Sequence, residues 1–158
     1  MTDMKLPEST RVWIYQSDRP FTEGEIPALK RHVNQFAQKW ASHNRQLKAQ
    51  GDVLHKQFIV LMVDESMAGA SGCSIDSSVH FMKQLGQQYG VDLFDRMTFT
   101  YLENGEVKTA HSTEFAELYK QGKITDQTPV FDNLVKTKGE LEEKWIKPLN
   151  ESWHRRFV

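Results

Sequence analysis

The first third of the chain consists of a short β-like segment followed by a long amphipathic segment. Residues 11–16, RVWIYQ, are rich in β-branched and aromatic side chains and end at a polar turn, so they predict a strand. Thr22 then precedes acidic residues, which is typical of a helix start. From there to Gly51 the apolar residues recur at helical spacing and predict one long helix; they are Ile26, Leu29, Val33, Phe36, Trp40 and Leu47.

The middle of the chain predicts a buried strand and then a second helix. Residues 54–64 contain the apolar run FIVLMV between charged residues, a pattern typical of a central strand covered on both faces. After a loop, one face of a helix is marked by residues that recur at helical spacing, and Gly90 ends it; these residues are Ile75, Val79, Met82, Gly86 and Tyr89.

A hairpin is predicted next, because residues 97–103 and 106–111 are strand-like and Asn104-Gly105 lies between them. Asn-Gly accepts the positive φ angles of the tight turns that join antiparallel strands. Ser112 is expected to cap a short helix over residues 113–121.

The C-terminal third, about residues 122–158, is more irregular and helical in its pattern. A last helix is expected to start near Gly139 and to carry Leu141, Trp145 and Ile146. Pro148 would kink or end it, because proline cannot donate a helical hydrogen bond.

The predicted order is therefore β-α-β-α-β-β-α-α. The economical arrangement is an α+β (mixed α/β) fold, with helices packed on a mixed sheet of about four strands. No low-complexity linker divides the sequence, so we expect a single domain over residues 1–158.

Composition narrows the classes of function. The chain has 158 residues with one cysteine, so an internal disulfide is impossible and a cytoplasmic protein is expected. The net charge of −1 lacks the basic excess of a nucleic-acid or anionic-membrane surface. The longest apolar run is six residues, far too short to span a membrane.

The loop over residues 69–78, GASGCSIDSS, is the candidate site for chemistry. It joins the buried strand to a helix start, where free N–H groups and the helix dipole favour a small anion. Parallel pairing of the first two strands would bring Arg19 to the same edge, and an antiparallel third strand would bring Arg96. The candidate ligand-binding residues are thus Arg19, Ser71, Gly72, Cys73, Ser74, Asp76, Ser77 and Arg96. The alternative is that the serines and Asp76 simply cap the helix.

Cys73 is also a candidate catalytic residue, because a helix start favours a thiolate nucleophile or redox sensor. A phosphatase loop is excluded, since Val79 stands where that loop needs arginine. His80 lies about 10 Å further along the helix axis, so a base would have to come from elsewhere, for example from His55 or Asp64. The alternative is a buried, inert thiol.

No spacing typical of a metal site occurs, and no metal or cofactor is expected. A third hypothesis is a non-catalytic interaction module that uses the hairpin edge at 97–111 or the aromatic tail at 145–157. That tail either covers the sheet or exchanges with a partner chain in a homodimer.

Four segments together resemble a small uncharacterised bacterial protein family whose members carry the label "ABC transporter ATPase". They are VWIYQSDRP at 12–20, FIVLMVDE at 58–65, GASGCSIDSSV at 69–79 and FDR at 94–96. The resemblance covers most of the chain and implies no particular activity, cofactor or catalytic residue. Residues 60–65, VLMVDE, are similar to a Walker B strand, but the phosphate-wrapping GxxxxGK[ST] loop is absent. The sequence therefore predicts no ATPase activity.

Overall fold

A computed structural model describes residues 6–66 and 68–158. Within these ranges the chain forms four α-helices: α1 at Ile26–Lys39, α2 at Gly72–Tyr89, α3 at Ser112–Lys120 and α4 at Lys138–Lys144. Its strands are β1 at Arg11–Gln16, β2 at Ala41–Ser42, β3 at Arg45–Gln46, β4 at Lys48–Leu54, β5 at Phe58–Asp64, β6 at Thr98–Glu103, β7 at Glu106–His111, β8 at Pro129–Phe131 and β9 at Ile146–Pro148. The α+β fold is confirmed.

The strands form two main sheets, in the orders β1-β5-β4 and β7-β6-β8-β9, and a small β2-β3 hairpin. The largest sheet has four strands, as predicted, but every pairing in the described ranges is antiparallel. Parallel pairing of the first two predicted strands is therefore wrong. The reason is that α1 connects β1 to β4, which run in the same direction, and β5 inserts antiparallel between them.

The prediction of one long first helix is also wrong, for the second half of that helix. The helix α1 ends at Lys39, because Trp40 is extended and a turn with positive φ follows at His43 and Asn44. Residues 41–54 then form β2, β3 and β4. A Cβ atom on Gly51 would collide with Val33 of α1, so β4 can lie against the helix only with glycine there.

The core consists of three apolar clusters, each of which lies between two neighbouring layers of the fold. Helices α1 and α2 pack on one face of the β1-β5-β4 sheet through residues such as Leu29 and Met82. The other face of that sheet packs against α4 and the second sheet, with Phe131 and Trp145 between them. The far face of the second sheet carries α3 and the C-terminal tail. The strand β5 is buried along its whole length, as its apolar run predicted.

The C-terminal third contains two short strands that the pattern did not predict. Strands β8 and β9 pair with one another, and α4 starts after its Thr137 cap, close to the expected Gly139. The tail over Trp153–Phe157 forms a 3-10 helix that packs on the second sheet through Phe99. In this chain the tail therefore covers the sheet, which is the first of the two alternatives.

The hairpin is confirmed, and its turn residues Asn104 and Gly105 both have positive φ. The expected cap of the following helix is shifted by one residue. The side chain that caps α3 belongs to His111, which accepts from the backbone N–H of Thr113, and Ser112 is the first helical residue. No helix of the described ranges has the length and apolar character needed to cross a membrane.

Candidate functional site

The helix α2 begins within the loop that the sequence singled out, and the loop residues bond mainly to one another. Ser71 is the N-cap, and its hydroxyl accepts from the backbone N–H of Ser74 at 3.2 Å. In return, the Ser71 N–H donates to the Ser74 hydroxyl at 2.6 Å, which completes a capping box. The capping interpretation of these two serines is thus what the contacts support.

A carboxylate already lies at this loop. The backbone N–H of Ala70 donates to Glu65 Oε2 at 2.8 Å, and that of Ile75 donates to the Ser71 carbonyl. Within the described ranges, the amides of Gly72 and Cys73 in the first turn have no acceptor. Because Glu65 brings a negative charge to the same loop, its field opposes the binding of a further anion.

The two arginines that the anion hypothesis needs lie elsewhere. Because β1 and β5 are antiparallel, Arg19 follows β1 at the opposite end of the sheet from the 69–78 loop. It donates to the Tyr89 carbonyl at 2.6 Å, at the C-terminal end of α2, about 27 Å along the helix axis from Ser71. It also pairs with both carboxylate oxygens of Glu25, which lowers the pKa of Glu25 to about 2.

Arg96 is exposed in the connection that follows the same end of α2. The structure therefore brings together the candidate residues between Ser71 and Ser77 but neither of the arginines. Whether Arg19 lies near the loop depends on the direction in which β1 pairs with β5. The pattern of apolar residues does not reveal that direction.

Cys73 is exposed, together with Asp76, Ser77 and His80 on the solvent face of α2. The shared face was predicted, and the alternative of a buried thiol is wrong.

Neither of the proposed bases supports a catalytic role for Cys73. His55 packs between Phe58 and Trp145 at the other end of β5, so it cannot be the base. Asp64 accepts from the Ser66 N–H at 3.0 Å and pairs with Lys48. The thiol is accessible, but the structure brings neither of the proposed bases to it.

The edges of the two sheets differ in how they are covered. At β1, the N–H of Val12 donates to the Lys136 carbonyl, and the Lys138 N–H donates to the Thr10 carbonyl. At β4, the outward N–H groups of Gly51 and Val53 donate to the side chains of Asn34 and Asp52, respectively. The strand β9 is three residues long and ends in Pro148. Parts of these edges are thus covered in ways that natural sheets use against unwanted strand pairing, although the outward N–H of Ile14 in β1 has no acceptor in the described ranges.

The remaining edge, β7, carries the exposed ion pair Lys108–Glu106, but no other segment of the described ranges covers its outward N–H groups. It pairs with β6 on one side only, and it is six residues long. In a hairpin with a two-residue turn, the flanking pair Glu103–Glu106 is hydrogen-bonded, and the pattern then alternates. The N–H and C=O groups of Val107, Thr109 and His111 therefore point away from β6. They form an open edge with three N–H donors and two C=O acceptors, because the carbonyl of His111, the N-cap of α3, accepts the first hydrogen bond of that helix.

An exposed apolar side chain lies near the C-terminal end of this open edge. Met97 is 42% exposed, and its carbonyl accepts from the Ser112 N–H just after β7 ends. A chain that paired with β7 would find apolar surface at one end of the strand.

No family model matches this chain, and no curated protein or solved structure matches it either. In the described ranges, no group of three or more histidine, cysteine, aspartate or glutamate side chains is placed to hold a metal ion.

Proposed function

We propose that this protein is a non-catalytic interaction module that binds an extended segment of a partner chain along β7. The observation that carries the proposal is the contrast between β7 and the other edges. Val12 of β1 and Gly51 and Val53 of β4 have protein acceptors for their outward N–H groups, and β9 is very short. In the described ranges no outward N–H of β7 has an acceptor; these belong to Val107, Thr109 and His111.

Strand addition is the mode of binding that suits this surface. A bound segment would pair its backbone with the outward groups of β7, which supplies affinity without a deep pocket. Val107 and Thr109 are half-buried and lie on one face, so they would contact alternate side chains of the partner. The exposed Met97 would add an apolar contact at the end of the strand.

The alternatives of an anion-binding protein and a thiol enzyme have less support. An anion at the 69–78 loop would lie beside Glu65 and would lack both Arg19 and Arg96. A thiol enzyme would need a base near Cys73, and His55 lies at the wrong end of β5.

Photo-cross-linking in the cells that produce the protein tests the proposal. A photo-reactive residue at Lys108, on β7, is expected to give an adduct with another chain, and one at the exposed Gln88 is expected to give none. Thr109→Pro should abolish the adduct, because proline removes an outward N–H but leaves the hairpin bonds to β6 intact.

The matched control is Thr109→Val, which keeps both the N–H and the branched shape and should retain the adduct. Thermal unfolding of all three proteins checks that each is folded. Equal adducts at positions 108 and 88, or an undiminished adduct in a folded Thr109→Pro variant, would overturn the proposal.

A further inference from the structure

We infer that Asn104, at the tip of the β6–β7 hairpin, is a site of spontaneous covalent modification, where the side-chain amide is lost and aspartate or isoaspartate forms. Modification here does not depend on the proposed function, because it requires no partner at β7. Asparagine is among the thermolabile residues of proteins. Asn104 precedes Gly105, and glycine has no side chain to hinder an attack by its own backbone nitrogen.

The reaction at Asn104 consumes only water. The backbone nitrogen of Gly105 attacks Asn104 Cγ, so that an N–Cγ bond forms and the Cγ–Nδ2 bond breaks. Nδ2 leaves as ammonia and takes the proton of the attacking nitrogen with it. Water then opens the resulting succinimide ring at one of its two carbonyl carbons. Opening at Cγ gives aspartate, whereas opening at the backbone carbonyl carbon gives isoaspartate, whose main chain runs through Cγ.

The contacts at the turn leave both reacting groups free. In the described ranges the Asn104 side chain has no hydrogen-bond partner, and the Gly105 N–H has no acceptor. The residues from Glu103 to Glu106 are all exposed, and the space beside the Gly105 Cα is open. Ring closure requires Asn104 to rotate out of its left-handed turn, where its φ is 52°. That rotation disturbs the Glu103–Glu106 pair and uncovers no buried side chain, so local opening of the tip suffices.

The turn between β2 and β3 provides a comparison within the same chain. Asn44 is exposed and has a φ of 65°, and it too lies in a two-residue turn, between the paired residues Ser42 and Arg45. The residue after Asn44 is Arg45, whose side chain hinders attack by its nitrogen. Of the five asparagines in the chain, Asn104 alone precedes a glycine, so the modification is expected to be selective.

The modification would loosen β7. Isoaspartate adds a carbon atom to the main chain of the turn, so the two-residue geometry that sets the pairing of β6 with β7 is lost. Aspartate keeps the length of the turn but adds a negative charge beside Glu103 and Glu106, which already face each other. Either product therefore weakens the pairing that holds β7 in place.

Incubation of the full folded chain at mildly alkaline pH, followed by proteolysis and mass spectrometry, tests the inference. The peptide that contains Asn104 should be replaced by separate aspartate and isoaspartate species, and the peptide that contains Asn44 should stay unchanged. Gly105→Ala should slow the conversion about tenfold, because the added methyl group crowds the attacking nitrogen. The matched control is Gly90→Ala, which also replaces a glycine of positive φ but should leave the conversion of Asn104 unchanged.

The same chain unfolded in urea gives the rate of conversion for a freely rotating segment, and thermal unfolding checks that each variant is folded. No conversion of Asn104 in the folded chain, over a period in which the unfolded chain converts completely, would overturn the inference. Equal conversion of Asn44 and Asn104 would overturn it as well. In the isoaspartate product, the Lys108 amide, which is bonded to β6, should exchange its hydrogen about tenfold faster. Unchanged exchange at Lys108 would overturn the loosening of β7.

Discussion

At the scale of single residues, His154 shows how burial sets the charge of a side chain. It is 1% exposed, stacks on Trp153 with ring centres 3.8 Å apart, and its Nδ1 lies 2.6 Å from the Ser152 hydroxyl. Burial lowers the pKa of His154 to about 4, with Lys147 lowering it further and Asp132 opposing the shift. The imidazole is therefore neutral at pH 7 and anchors the tail on the second sheet as an aromatic side chain.

The pKa of His154 predicts how stability depends on pH. The folded-state pKa of about 4 lies below the ordinary value of 6.5, so the unfolded chain takes up the proton first as the pH falls. The contribution of His154 to the free energy of unfolding is thus complete above pH 6.5 and is lost between pH 6.5 and pH 4. The loss amounts to about 3 kcal/mol. Urea unfolding of His154→Phe across this range should show a smaller dependence on pH.

The control for that experiment is His80→Gln, which alters an exposed histidine and should leave the dependence on pH unchanged. A His154→Phe variant with the same dependence on pH as the wild type would show that this histidine does not titrate as described.

At the scale of elements, local signals were predictable and long-range pairings were not. The hairpin around Asn104-Gly105 depends on a turn whose geometry those two residues dictate, so the sequence predicts it. The helical spacing of Trp40 and Leu47 is misleading, because both are buried from non-helical segments on either side of a turn. The short strands β8 and β9 are stabilised by partners distant in sequence, and a local pattern does not reveal them.

In the candidate site, too, the local features were predictable and the long-range ones were not. The cap at Ser71 is local and was predicted as the alternative to a ligand site. The position of Arg19 depends on whether β1 and β5 run parallel, and the open edge of β7 depends on which strand ends the sheet. The sequence predicts that β7 exists but does not predict that its edge is open.

Gly51→Ala tests how closely β4 packs against α1. In β4 the new Cβ would collide with Val33, so we expect the free energy of unfolding to fall by about 1–3 kcal/mol. Chemical denaturation measures the sign, and Gly72→Ala, whose Cβ meets no atom within 4 Å, is the control.

At the scale of the whole molecule, polar contacts tie the two sheets together. The buried Gln16 side chain accepts from the Thr100 hydroxyl at 2.6 Å and from Asn133 Nδ2 at 3.0 Å, and it donates to the Thr98 carbonyl. Asn133 in turn accepts from the Trp145 ring N–H. These contacts join β1 to the second sheet and hold β7 at the outer side of the molecule, where a partner strand can reach it.

The central property of the molecule is that β7 offers an open edge to another chain. Amide hydrogen exchange by NMR, on dilute protein, tests it residue by residue. The amides of Val107, Thr109 and His111 should exchange quickly, whereas those of Lys108 and Ala110, bonded to β6, should be protected. Strong protection of the Thr109 amide in the dilute protein would contradict an open edge at β7.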